Sequence, residues 1–316
     1  MVSGARACFG DASAQSGCPV PVIVGDMNIV FALLAALANA VSTVTQHVAS
    51  TSDTKGITGW RFVRYLAKNP LWLFGWASLL GAFVFQAIAL HNGLLSLVQT
   101  LLMTELVFAL FLRRLWIRQA ISAKAWASAG LTCVAVSVFI AVAEPRGGFA
   151  TPTSGAWSSS IAACVGGAAV LALLGTRGSP ARRAAFLATA AAVVWALDAT
   201  FIKAMTDTLT EDGIGGIFLH WPVYAVAASG IAGSLLVQVT LHVGPLRVSQ
   251  PLLVIVDPLV SIVLSVHLFD EHFTQDVGDL TIASVAFVAM CVGIVMMTVT
   301  VPETMERAGS TSVLTP

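Results

Sequence analysis

Hydrophobic positions in this chain come in long blocks. They show neither the alternation of a half-buried strand nor the i, i+3, i+4 stripe of a surface helix. Nine blocks of about 20 residues occupy residues 28–48, 71–91, 93–113, 123–143, 155–174, 184–205, 216–241, 245–267 and 279–301. Twenty helical residues at about 1.5 Å each match a hydrocarbon core about 30 Å thick. Polar punctuation separates the blocks, for instance Lys68-Asn69-Pro70 before the second and Gly175-Thr176-Arg177-Gly178 after the fifth. Transmembrane strands would need about 10 residues of alternating polarity, a pattern these blocks lack. The pattern predicts an all-α polytopic membrane protein with nine transmembrane helices.

Composition sharpens this picture. The chain is 57% hydrophobic and only 10% charged, against about 25% charged in soluble domains. Too little polar surface is left for a soluble enzyme, a nucleic-acid binder or a disordered chain. No Gly-x-x-x-x-Gly-Lys-[Ser/Thr], Gly-x-Ser-x-Gly or His-Glu-x-x-His occurs, so ATP hydrolysis and the common hydrolase chemistries have no carrier, and no enzyme is expected. Cys8, Cys18, Cys133, Cys164 and Cys291 lack metal-type spacing, and the last three read as small apolar packers.

The net charge is zero, but its distribution is not even. Of 16 Lys and Arg residues, all but Arg6, Arg146 and Lys203 fall in segments on one side of a nine-span chain. They include Lys55, Arg61, Arg64 and Lys68, then Arg113, Arg114, Arg118 and Lys124, then Arg177, Arg182 and Arg183. The opposite loops carry Asp207, Glu211, Asp212, Asp270, Glu271 and Asp276. The positive-inside rule then places the protein in the cell membrane with the N-terminus outside and the C-terminus cytoplasmic. Residues 1–27 are expected to be a disordered extension and 302–316 a solvated cytoplasmic tail. The segment 50–70, with Trp60, Phe62, Tyr65 and four cations, suits an interfacial amphipathic helix.

The chain also repeats itself. Leu90-His91-Asn92-Gly93-Leu94-Leu95, then Gln99 and Leu101-Leu102, returns as Leu241-His242-Val243-Gly244-Pro245-Leu246, then Gln250 and Leu252-Leu253. The first copy joins spans two and three, and the second joins spans seven and eight. Spans 1–4 (28–143) thus correspond to spans 6–9 (184–301), with span five (155–174) as connector. Equivalent helices are five apart, an odd number, so the repeats are inverted in the membrane. This is the ground plan of many secondary transporters.

Nine spans, a Trp-rich second span, the His-x-Gly turn and the Gly175-Thr176-Arg177-Gly178 break resemble the drug/metabolite transporter superfamily, of EamA-like architecture. The span count is similar to its NIPA-type magnesium-transporter branch. Thr240 to Pro251 and Phe269-Asp270-Glu271 with Gly278 resemble the corresponding segment of that branch. The resemblance covers about residues 28–301 and implies solute or Mg²⁺ transport by the two repeats. Thr100 stands where the branch tends to have proline, and Glu105 and Asp257 stand where small or apolar residues are expected.

Three carboxylates lie within spans, Glu105, Asp198 and Asp257. Each costs about 2.5–3.5 kcal/mol at the bilayer centre on insertion scales, so each is a functional candidate. Glu105 and Asp257 follow Gly93 and Gly244 by similar intervals, which the inverted symmetry converts into similar depth near the midplane. A structural role, with each acid protonated and bonded inside the bundle, stands beside the functional one. Pro251 and Pro258 are expected to loosen the helix around Asp257, while no proline accompanies Glu105. Gln99 and Gln250 are candidate substrate ligands facing one cavity, or interhelical glue. Lys203 is expected to snorkel outward or to pair with Asp198. His47, His91, His220 and His242 fall at span ends. The Asp270-Glu271-His272 cluster with Asp276 reads as a solvated loop, and the small runs at Gly166-Gly167 and Ala227–Ser234 as close helix contacts.

The leading expectation is a secondary transporter for a small metabolite or drug-like solute, coupled to protons. A Mg²⁺ conduit and a non-transporting membrane scaffold stand beside it. Expected partners are a small-molecule or ion substrate and membrane lipid, with a homodimer left open and no nucleic acid. No cofactor is expected beyond a coupling H⁺ or Mg²⁺.

Overall fold

The computed structural model describes residues 22–51, 69–116, 121–148, 150–244 and 246–300. The expectations for the N-terminal extension, the interfacial segment and the C-terminal tail therefore fall outside the described residues, apart from their edges. Among the described residues the protein is all-α and has nine helical spans long and apolar enough to cross a membrane. It is a polytopic membrane protein.

Helix α1 covers Val22–Thr51, α2 Pro70–Asn92, α3 Leu95–Leu102, α4 Glu105–Trp116, α5 Ala123–Ala143 and α6 Ser154–Leu174. They are followed by α7 Pro180–Gly216, α8 Trp221–Val243, α9 Leu246–Phe269 and α10 Val277–Thr300. Helices α3 and α4 together make the third span. Local chemistry sets several starts. Asn69, Ser122, Thr153 and Ser179 each accept a backbone N–H of the following first turn, and Pro70 and Pro180 occupy positions where no donor is needed. Helix α7 breaks at Gly213, whose φ of 71° only glycine adopts readily.

Packing follows the inverted repeat. Helix α1 packs on α2 as α7 packs on α8, and α1 meets α3 and α4 as α7 meets α9. Across the boundary, α5 pairs with α10 and α3 with α9, each span meeting its own equivalent. The repeated turns behave alike. A Cβ on Gly93 would collide with the Ala89 carbonyl and touch Asn28 of α1, and one on Gly244 would collide with Pro180 and Ala184 at the start of α7. The two turns lie at opposite ends of the bundle, as inversion requires.

Helix α7 runs through the middle. Ala184, Ala188, Ala190, Ala191, Ala192 and Ala196 are fully buried there, and such small side chains let neighbouring backbones approach. Leu73, Phe74, Leu80, Val134, Leu173, Ile231 and Val285 point outward as an apolar exterior suited to lipid. The expected contacts at Gly166-Gly167 do not form within the bundle: both are exposed, with nothing within 4 Å of a Cβ. Of the second small run, Gly233 packs against the Trp195 indole while Gly230 meets nothing. The tightest approach is elsewhere, where Gly293 of α10 abuts Thr132 and Ser128 of α5.

Candidate functional site

The third span is interrupted at Met103-Thr104. Their amides bond to Thr100 and Leu101, the tighter i→i+3 pattern of a 3₁₀ turn. Glu105 begins the next helix. The two prolines of α9 leave that helix continuous from Leu246 to Phe269. The break expected beside Asp257 therefore sits beside Glu105. Hydroxyl back-bonding contributes, because Thr100 and Thr104 donate to the carbonyls of Ser96 and Leu101 within the same turn.

Three carboxylates from both repeats lie on spans that pack against one another. Asp257 lies close enough to Asp198 and to Glu105 to feel both charges. Each has a hydroxyl partner. Thr43 of α1 donates to Glu105 at 3.3 Å, Ser229 of α8 to Asp198 at 2.5 Å, and Ser261 to Asp257 at 3.3 Å. Asp198 is buried, whereas Glu105 and Asp257 are half-buried. Among the described residues no three of His, Cys, Asp and Glu cluster closely enough to hold a metal ion together. The arrangement is a set of separate carboxylates rather than a preformed cage.

Ser229 gives Asp198 a particular capability. Its hydroxyl has one hydrogen, yet Oγ lies 2.5 Å from Asp198 Oδ1 and 2.7 Å from the Ala225 carbonyl. An ionised Asp198 accepts that hydrogen. A protonated Asp198 donates to Oγ instead, and the hydroxyl turns to Ala225. Both protonation states leave every group bonded, so a proton is gained or lost without a buried unsatisfied atom.

The trio is sealed on the Gly93 side. Ser96, Thr100, Ser261 and Ser265, between the carboxylates and the Gly93 end, are fully buried. On the other side, Leu252 through Asp257 are all half-buried, as are Glu105 through Phe108. Gln99, on the sealed side, is buried, and Gln250, toward the other end of the antiparallel α9, is half-buried.

Lys203 neither snorkels nor reaches Asp198. It is 3% exposed. Its Nζ donates to the Gly93 carbonyl at 3.0 Å, lies 3.9 Å from Glu271 Oε1 and sits 4.7 Å over the Phe269 ring. Five residues after Asp198 turn it well away from that acid on a helix of 3.6 residues per turn. Glu271, expected in a solvated loop, is 1% exposed. Its carboxylate accepts the Leu95 amide at 2.6 Å, the Ser96 amide at 3.2 Å and the Ser96 hydroxyl at 2.5 Å. It thereby caps α3 from 176 residues away in the chain. Its neighbours Asp270, His272 and Asp276 stay exposed. The signal for Glu271 was available indirectly: Gly93-Leu94-Leu95 offers the start of α3 no capping side chain, so the donors need one from elsewhere.

The histidines divide. His91 lies 3.4 Å from Asp207, and His220 lies 2.8 Å from Asp212, both near the sealed end. His242 is exposed at the opposite end, and the His47 side chain falls outside what is described.

Fold and site together define an all-α polytopic membrane protein with three carboxylates set within its helical spans. No protein-family model matches the chain, and no solved structure matches it. The chain is similar to an uncharacterised protein of Corynebacterium glutamicum, 25% identical over 282 residues, a match that covers 88% of this chain and 98% of that protein.

Proposed function

We propose that the protein is a secondary transporter, resembling the drug/metabolite transporters, that moves a small metabolite or drug-like solute by rocking two inverted repeats about a proton-accepting midplane site. The observation that carries this reading is that Glu105, Asp198 and Asp257, drawn from both repeats, lie on spans packed against one another, with Asp257 near enough to feel the other two. Midplane charges are costly and face interiors or pathways. Sites between inverted repeats serve alternating access. The distribution of Lys and Arg supports an outside location for the sealed end.

Coupling follows from the chemistry of the trio. Neighbouring carboxylates in a low dielectric resist simultaneous ionisation, so solute binding or helix movement that changes their separation changes proton occupancy. The Ser229 hydroxyl lets Asp198 take part at no hydrogen-bonding cost. The Mg²⁺ reading has less support, because the acids are spread out rather than gathered around one point.

The test is purified protein in vesicles carrying a pH-sensitive dye in the lumen and an imposed pH gradient, challenged with a panel of small solutes. A solute should trigger proton movement in the parent protein and not in Asp257→Asn. Proton flux that no solute changes, or solute flux indifferent to the gradient, would remove the coupled-transport reading.

A further inference from the structure

The two repeats touch at the sealed end through an unusual set of groups. Glu271, between α9 and α10, accepts from Leu95 and Ser96 of α3, while Lys203 of α7 donates to the Gly93 carbonyl. Every one of these bonds crosses from repeat two to repeat one. Rigid-body rocking of the repeats would break them and leave the hydrogen bonds within each repeat intact. Gly148, in the loop after α5, lies directly above: a Cβ there would stand 2.5 Å from Leu94 and 3.2 Å from Glu271 Cγ. Behind the ion pair, Trp157, Phe201, Trp221 and Phe269 stack edge and face at 5.1–6.3 Å.

Stability alone does not call for such a junction. The Lys203 and Glu271 side chains are 4% and 0% exposed, and a buried ion pair is commonly no better than well-packed apolar residues. What it offers is reversibility. When the junction parts, entering water hydrates the carboxylate, the ammonium and the freed amides of α3, so opening leaves no unsatisfied donor. The placement also links it to the site. The junction is built by the spans that carry the three acids: Ser96 shares its span with Glu105, Lys203 shares α7 with Asp198, and Glu271 follows the end of α9, which carries Asp257. Lys203 stands only about 7.5 Å along α7 from Asp198 at about 1.5 Å per residue.

We propose that Glu271, Lys203 and the N-terminus of α3 form the outer gate of this protein, a carboxylate clasp that closes the bundle in the present state and must part for the midplane site to be reached from outside. The proposal rests on the transport reading, but its test needs no substrate. In a chain whose five cysteines are replaced, Ser261→Cys supplies a reporter one turn outside Asp257, at a position now fully buried. Ala188→Cys, equally buried in the other half of α7, reports general loosening. Intact cells are treated with a membrane-impermeant maleimide.

Glu271→Gln, Glu271→Ala and Lys203→Met should each raise labelling at Ser261→Cys, by about tenfold or more in the alanine variant, while Ala188→Cys stays unlabelled. Labelling equal to the parent in all three variants overturns the inference. So does a rise at both reporters together, which would make the clasp a fold-stabilising cap instead of a gate. Failure of the transport reading would show separately, in the solute-driven proton flux of vesicles, and would leave the labelling result standing.

Discussion

The Ser229 hydroxyl stands 2.5 Å from Asp198 and 2.7 Å from the Ala225 carbonyl, with a single hydrogen to share between them. Asp198 is thereby matched in both its charged and neutral forms. Ser229→Ala keeps the volume of the α7–α8 contact nearly unchanged but strands the ionised acid. Losing such a bond is worth about 1.4 kcal/mol, a tenfold change in an equilibrium. Gradient-driven transport should fall by about that factor, and Ser229→Thr, which keeps the hydroxyl, should retain most of it. Equal rates in all three proteins would show that Asp198 does not exchange its proton during transport.

Topology gives a second prediction. Arg146 and His272 exchange backbone hydrogen bonds at 2.8 Å, so the loops after α5 and after α9 share one side. Gly93 joins them through Lys203 and Glu271. The basic segments lie at the other side. A reporter fused at the N-terminus should be accessible from outside intact cells, and one at the C-terminus only after permeabilisation. Both reporters on one side would remove the odd span number and the inversion that depends on it.

The nine spans and the inversion were legible because bilayer thickness and loop charge leave direct marks on a sequence. The kinship of spans three and eight was legible through the repeated His-x-Gly turns, and those spans do pack on one another. The clasp was not. Glu271 sits among Asp270, His272 and Asp276, and nothing local distinguishes the one acid that turns inward to an uncapped helix start far away in the chain. Lys203 misled for a related reason: its helical neighbours suggested Asp198, while its true partners come from other segments. Prolines in α9 drew attention as helix breakers, yet the break arises at Met103-Thr104, where threonine hydroxyls compete for backbone carbonyls.

Close packing between repeats supplies a third prediction. Gly293 lies against Thr132 and Ser128 so tightly that a methyl group would overlap the Thr132 hydroxyl. Gly293→Ala should lower stability by about 1–3 kcal/mol through overpacking of the α5–α10 contact. Gly166→Ala and Gly167→Ala, where a Cβ meets nothing within 4 Å, should be neutral or slightly stabilising. Thermal unfolding in detergent separates the two sites, and an undiminished melting temperature in Gly293→Ala would mean that α5 and α10 stand further apart.

The last prediction compares the two half-buried acids. Proline content alone makes Asp257 the dominant site and Glu105 a minor one. The structure reverses that ground, since the helix interruption lies immediately before Glu105 and α9 is continuous around Asp257. Both acids are half-buried, and Asp257 feels the charge of Glu105. Glu105→Gln and Asp257→Asn should therefore impair gradient-driven transport to a similar degree. Each variant should insert and fold normally, because removing a midplane charge lowers the cost of insertion. Solute exchange without a gradient should survive in both, since each amide keeps the shape of the acid it replaces. If Glu105→Gln transports normally while Asp257→Asn does not, the broken helix plays no part in coupling. If the double variant retains full gradient-driven transport, the coupling proton resides on Asp198 alone.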